Sequence, residues 1–84
     1  MVEKDIVVKI DGGLQSKTAA VFIQKASSYK CSVWVEKDER KANAKSLLGL
    51  LSLVIDKGDR IKVITEGSDE EAAANELEKY LTFK

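Results

Sequence analysis

Ser46 is the residue whose type and position best fit a regulatory modification. It directly precedes an apolar run, residues 47–53, that contains five leucines. Serine is favoured at a helix N-cap, where its hydroxyl accepts a hydrogen bond from a free backbone N–H group and contributes about 1 kcal/mol. A phosphate added there would meet the same N–H groups and the positive end of the helix dipole. The position therefore fits two interpretations, a plain helix cap and a phosphorylation site.

The leucines that follow Ser46 cannot all face one core. On a helical wheel of 100° per residue, Leu50 and Leu53 lie on one side, close to Ala44. The opposite side carries Leu47, Leu48 and Leu51. The first side can pack on a sheet. The second side either forms an exposed patch of roughly 200–300 Å² that fits a partner or is covered by neighbouring loops, and the sequence leaves both open.

Composition excludes several kinds of chemistry. The chain has no histidine, so imidazole acid–base catalysis, phosphohistidine transfer and His-ligated metal sites are impossible. The single cysteine, Cys31, can form neither an internal disulfide nor a multi-cysteine metal site. No carboxylate pair flanks a plausible pocket, and the glycines form no phosphate-binding motif. We therefore expect a protein that is not an enzyme and that binds neither a metal nor a cofactor.

Charge and hydropathy limit the partners and the compartment. The formal net charge is zero, which argues against nucleic acid as a direct partner. Residues 1–45 carry nine Lys or Arg against six acids, a pattern that fits either a solvated face or a basic surface for an acidic protein. No apolar run approaches the roughly 20 residues of a membrane span, and the N-terminus does not resemble a signal peptide. We expect one domain over residues 1–84, in the cytoplasm.

The remaining pattern predicts the elements that position Ser46. Short strands are expected at residues 2–10, 31–37, 40–43 and 61–65, mostly from apolar alternation. Besides the leucine helix, helical spacing links Ala19, Phe22, Ile23 and Ala26, and again Ala73, Ala74, Leu77 and Leu81. The order β-α-β-β-α-β-α predicts an α+β fold, an open-faced sandwich in which three helices cover one face of a four-stranded antiparallel sheet.

The ends of these helices carry predicted caps. Ser16 or Thr18 is expected to cap the first helix, and Gln15 is a poorer candidate. Before the last helix, Ser68 and Glu71 have the spacing of a capping box.

Two segments, GLQSKTAAVFIQKAS at 13–27 and NAKSLLGLLSL at 43–53, resemble the HPr family of small phosphocarrier proteins. The family's regulatory motif, N-x-K-S-[apolar]-[apolar]-G-[apolar]-[apolar]-S-L, is matched well. The phosphocarrier motif, G-[apolar]-H-A-R-P-A, is degenerate, because Gln15 replaces the phosphorylated histidine. Ser16, Lys17 and Thr18 replace the following Ala-Arg-Pro. This combination resembles the catabolite repression HPr-like proteins of Gram-positive bacteria.

The resemblance implies regulation without phosphate relay, because glutamine cannot carry a phosphoramidate. It implies that the HPr kinase/phosphorylase phosphorylates Ser46, and that the phosphoprotein binds a LacI-type catabolite control repressor as corepressor. The implied partner-binding residues are Gln15, Lys17, Ala20, Gln24, Lys45, Leu47, Leu48 and Leu51. Two departures from the family pattern predict either weaker repressor binding or a different partner. Lys17 lacks the guanidinium fork of arginine, and Thr18 lacks the fixed φ of proline.

Two further properties stay open. A constitutive binding module would use the exposed leucines on a metabolic enzyme without phosphorylation. The Gly12-Gly13 pair after the first strand is a flexible hinge, and such hinges permit exchange of a strand between two copies, so a homodimer is also open.

Overall fold

The predicted open-faced sandwich is confirmed by a computed structural model, which describes residues 1–83. Its four strands are β1 (Val2–Val7), β2 (Ser32–Lys37), β3 (Arg40–Asn43) and β4 (Arg60–Glu66). They form one antiparallel sheet in the order β1-β4-β2-β3. β1 ends earlier than the apolar alternation, because the N–H groups of Val8 and Lys9 bond outside the ladder, to Asp59 O and Leu81 O.

Three helices pack on the sheet: α1 (Ser16–Ser27), α2 (Leu47–Ser52) and α3 (Glu70–Thr82). Their buried residues are Ala19, Phe22 and Ala26 on α1, Leu50 on α2, and Ala73, Ala74, Leu77 and Leu81 on α3. The strand residues packed with them in this core include Ile6, Val33, Val35, Ile61 and Val63. The helical spacing and the strand alternation therefore meet in one core, as the sequence predicts.

The predicted cap of α1 is wrong. Gln15 is the N-cap, with an extended backbone, and Thr18 is the third helical residue. The Thr18 hydroxyl accepts from Gln15 N at 2.9 Å and lies 2.6 Å from Gly13 O, to which it donates. Thr18 therefore supplies the returning half of a capping box, a role that does not depend on the N-cap side chain. Ser16, the other candidate, begins the helix with a φ of +35°, in a region that non-glycine residues rarely adopt.

The predicted cap of α3 is also wrong. Asp69, and not Ser68, is the N-cap, and its side chain makes no capping bond to its own helix. Its carboxylate accepts instead from Lys30 N at 2.9 Å and from Cys31 N at 3.0 Å, where the chain enters β2. The bond from Lys30 N is the main reason that the pKa of Asp69 is lowered. The Asp69 carboxylate thus bonds to two distant backbone N–H groups, and the local capping pattern is not used.

Candidate functional site

Ser46 caps α2 as predicted. Its backbone is extended, with φ −111° and ψ 117°, and its Oγ accepts from Gly49 N at 3.2 Å. The backbone carbonyl of Ser46 accepts from Leu50 N at 3.0 Å, which closes the first turn of the helix. The residue is exposed. Ser46 is therefore both a structural cap and a residue that a second protein can reach.

The outward leucines of α2 are exposed, which decides the alternative that the sequence leaves open. Leu48 is 83% exposed, Leu47 46% and Leu51 37%, and these three form the leucine patch. Leu50 and Leu53, on the opposite side, are buried at 0% and 5% exposure. The two sides of the helical wheel therefore separate into core and surface as predicted.

Val54 is a further exposed apolar residue, directly after α2, and sequence reasoning missed it. Its side chain is 60% exposed, and its φ is +51°, an unusual conformation for a β-branched residue. The periodicity of α2 gives no signal for Val54, because the residue lies beyond the end of the helix.

The ammonium group of Lys45 is not free beside Ser46, because it is hydrogen-bonded within the fold. Its Nζ donates to two backbone carbonyls, Tyr29 O and Cys31 O, both at 2.9 Å. These bonds attach the segment before α2 to the connection between α1 and β2. The ammonium group is thus engaged within the fold, where it fixes the entry to the helix.

The degenerate phosphocarrier residues lie at the start of α1. Gln15, Ser16 and Lys17 are exposed, whereas Thr18 is half-buried. The Gln15 amide nitrogen donates to Asp56 Oδ1 at 3.2 Å. Sequence reasoning did not find Asp56, because it lies 41 residues away in a turn. The backbone bond from Leu14 N to Ile55 O, at 2.9 Å, brings these two segments together.

The remaining predicted docking residues continue along α1. Ala20 and Gln24 are exposed, and with Lys17 they have the spacing of one helix face. α1 and α2 are in contact, so the two predicted segments belong to neighbouring helices. The structure therefore places the helix that carries Lys17, Ala20 and Gln24 beside the helix that Ser46 caps.

The described residues show little that suggests other chemistry. Within residues 1–83, no group of three or more His, Cys, Asp or Glu side chains is arranged to hold a metal ion. Cys31 is buried, and this burial raises the pKa of its thiol, so the reactive thiolate is disfavoured. No helix of that part of the chain is long and apolar enough to cross a membrane.

Comparison with known proteins assigns this arrangement to a family. The family model described as "PTS HPr component phosphorylation site" matches residues 2–82. The chain belongs to the HPr family. The resemblance drawn from the two motifs is therefore confirmed, although this HPr-family chain lacks the histidine of the phosphocarrier motif.

One sequence relative of this HPr-family chain is the HPr-like protein Crh of Halalkalibacterium halodurans. The two are 48% identical over 77 residues, which cover 92% of each chain. This relative confirms the similarity to the HPr-like proteins within the family.

Two solved structures have the same fold. The phosphocarrier protein HPr of Bacillus anthracis is 41% identical, with a TM-score of 0.93 over 95% of both chains. Crh of Bacillus subtilis, a protein of catabolite repression, is 40% identical, with a TM-score of 0.78 over 96% of this chain and 93% of that one. That crystal structure is described as a dimer with a swapped domain.

Proposed function

We propose that this chain is a regulatory HPr-like protein of carbon catabolite repression, without phosphocarrier activity. Phosphorylation of Ser46 by an HPr kinase/phosphorylase switches on its binding to a LacI-type catabolite control repressor. The observation that carries the proposal is the exposed Ser46, which caps a helix whose outward leucines are also exposed. A kinase that uses ATP and a repressor that binds DNA both act in the cytoplasm, where we place this protein.

The loss of phosphate relay follows from Gln15. The family accepts phosphate on an imidazole nitrogen, which has a lone pair that can attack phosphorus. An amide nitrogen has its lone pair delocalised into the carbonyl group and is not a nucleophile. The chain has no histidine at any other position, so no imidazole can take its place.

Phosphorylation of Ser46 adds charge beside an apolar surface without disturbing the core. A phosphate at the N-cap carries about −1.5 to −2 charges and interacts favourably with the positive end of the helix. The leucine patch begins with the next residue, Leu47, so the charge and the apolar contact form one epitope. A partner with an Arg or Lys beside an apolar groove recognises both parts together.

The docking surface combines the two helices. We assign to it the start of α1 and the exposed side of α2, through Gln15, Lys17, Ala20, Gln24, Leu47, Leu48 and Leu51. Lys45 contributes indirectly, since its ammonium group holds the entry to α2. A lysine at position 17 offers a partner carboxylate one point charge instead of a bidentate fork, so the complex is weaker than one that contains arginine.

Ser46→Ala tests the proposal. Incubation with HPr kinase/phosphorylase and ATP should add the mass of one phosphate to the parent protein and none to Ser46→Ala. The phosphorylated parent should then bind the purified repressor at least about tenfold more tightly than Ser46→Ala, because it adds a charge-assisted contact. Intact-mass spectrometry and isothermal titration calorimetry measure the two steps.

Ser52→Ala is the matched control. Ser52 lies on the same helix and is exposed, but its hydroxyl donates to Gly49 O at 2.7 Å and makes no bond at the helix N-terminus. This variant should be phosphorylated and bind as the parent does. Equal binding of the phosphorylated parent and Ser46→Ala to one target would contradict the switch. It would favour the second candidate, a constitutive module that regulates a metabolic enzyme through the leucine patch.

We further propose that the chain can form a homodimer by exchange of β1. In the structure β1 pairs with β4 of the same chain, and Gly12 and Gly13 adopt φ values of +79° and +67° in the loop that follows. If these glycines extend, residues 2–7 can form the same ladder with a second copy. Multi-angle light scattering of concentrated protein should detect a species of twice the 9.3 kDa chain mass. A monomer at every concentration would refute the exchange.

A further inference from the structure

Asp56 and Gln15 form a polar pair at the edge of the proposed docking surface. A carboxylate can only accept hydrogen bonds, so the Gln15 amide must turn its NH₂ group toward Asp56, as the 3.2 Å contact shows. One amide N–H is then bound to Asp56, while the amide oxygen and the second N–H of Gln15 remain available. Both side chains are exposed, so the pair presents the Asp56 carboxylate and the Gln15 amide oxygen as acceptors to an approaching cationic group.

The charge of Asp56 has no counterion within residues 1–83. The two lysines in its neighbourhood are already paired: Lys57 with Asp11 and Lys37 with Asp59, each at 2.8 Å. The backbone of Asp56 is fixed, because its N–H donates to Asp59 Oδ2 at 2.8 Å. The carboxylate is therefore an uncompensated negative charge at a defined position.

Asp56 lies beyond the end of α2 that is opposite Ser46. With a rise of about 1.5 Å per residue, α2 separates Ser46 from Leu53 by roughly 10 Å. Val54, which is also exposed, follows the helix end, and Asp56 comes two residues later. Along the chain, the exposed apolar residues of this segment therefore lie between Ser46 and Asp56.

We propose that Asp56, oriented by Gln15, is a specificity-determining contact for a Lys or Arg side chain of the protein that docks on the leucine patch. The inference rests on the proposed function, because it takes the repressor as that protein. The repressor then presents two basic groups, one for phosphorylated Ser46 and one for Asp56, on either side of an apolar groove. Two separated charge contacts fix the axis along which α2 lies in the groove.

Asp56→Asn and Asp56→Lys test this contact in the Ser46-phosphorylated protein. Asparagine keeps the size of the side chain and its bond to Gln15 but removes the charge, so affinity for the purified repressor should fall about fivefold. Lysine reverses the charge, so affinity should fall by more than about tenfold. The loss for Asp56→Asn should shrink at high salt, since the contact lies near solvent. Titration calorimetry at two salt concentrations measures these effects.

Glu71→Gln is the control for net charge. Glu71 is exposed on α3 and belongs to no ion pair within residues 1–83, so its loss should change affinity less than about twofold. Thermal unfolding should show all three variants folded, because both positions are exposed.

The outcomes separate this inference from the proposed function. If the phosphorylated parent does not bind the repressor, the proposed function fails, and the contact assigned to Asp56 fails with it. If the parent binds and Asp56→Asn binds equally well or more tightly, the function stands and the basic contact is refuted. Tighter binding of Asp56→Asn would show that an acidic group of the partner lies there.

Discussion

Gly13→Ala should destabilise the fold by about 3 kcal/mol or more. Gly13 has a φ of +67°, where an L-residue is strained by about 1–2 kcal/mol. An added Cβ would lie 2.2 Å from Ile55 O and 2.7 Å from Asp56 Cα, well inside van der Waals contact. Both atoms are backbone, so no side chain can rotate away, and relief requires separation of the Leu14–Ile55 bridge. Urea denaturation followed by circular dichroism measures the loss.

Gly12→Ala is the control for this substitution. Gly12 also has a positive φ, +79°, but nothing lies within 4 Å of an added Cβ. Gly12→Ala should therefore lower the free energy of unfolding only by the strain of a positive φ, about 1 kcal/mol. If both variants lose the same free energy of unfolding, the close approach of Gly13 to the backbone of Ile55 and Asp56 does not contribute to stability.

Leu50→Ala and Leu48→Ala should separate stability from binding on one short helix. Leu50 is fully buried, so its truncation leaves a cavity in the core and should lower the free energy of unfolding by about 2–5 kcal/mol. Leu48 is 83% exposed, so its truncation should change stability by less than about 0.5 kcal/mol. Denaturation midpoints of the two variants measure this difference.

For repressor affinity, we expect the opposite order: Leu48→Ala should have the larger effect and Leu50→Ala the smaller one. If Leu48 enters the repressor groove, its burial contributes about 1.5–3 kcal/mol, so Leu48→Ala should weaken binding of the phosphorylated protein at least about tenfold. Leu50→Ala, studied at a temperature where it stays folded, should bind with a smaller loss. Normal binding of Leu48→Ala would exclude the leucine patch from the interface, even if Ser46 is phosphorylated.

The sequence by itself determined the features that depend on neighbours along the chain. The element order follows from two periods, alternation in strands and the i, i+3, i+4 spacing in helices. The division of α2 into a buried side with Leu50 and an outer side with Leu48 follows from helix geometry alone. The cap role of Ser46 also follows, because an N-cap contacts a backbone group only three residues away.

Only the tertiary structure decided whether the outer side of α2 is covered and which partners the polar side chains take. Asp69, and not Ser68, occupies the N-cap position of α3, and its carboxylate accepts from Lys30 N and Cys31 N, 39 and 38 residues away, instead of capping the helix. Asp56 reaches Gln15 across 41 residues because the two segments are bridged at Leu14. Contacts of this kind depend on how the helices and strands pack in three dimensions, and no local period or propensity encodes that arrangement.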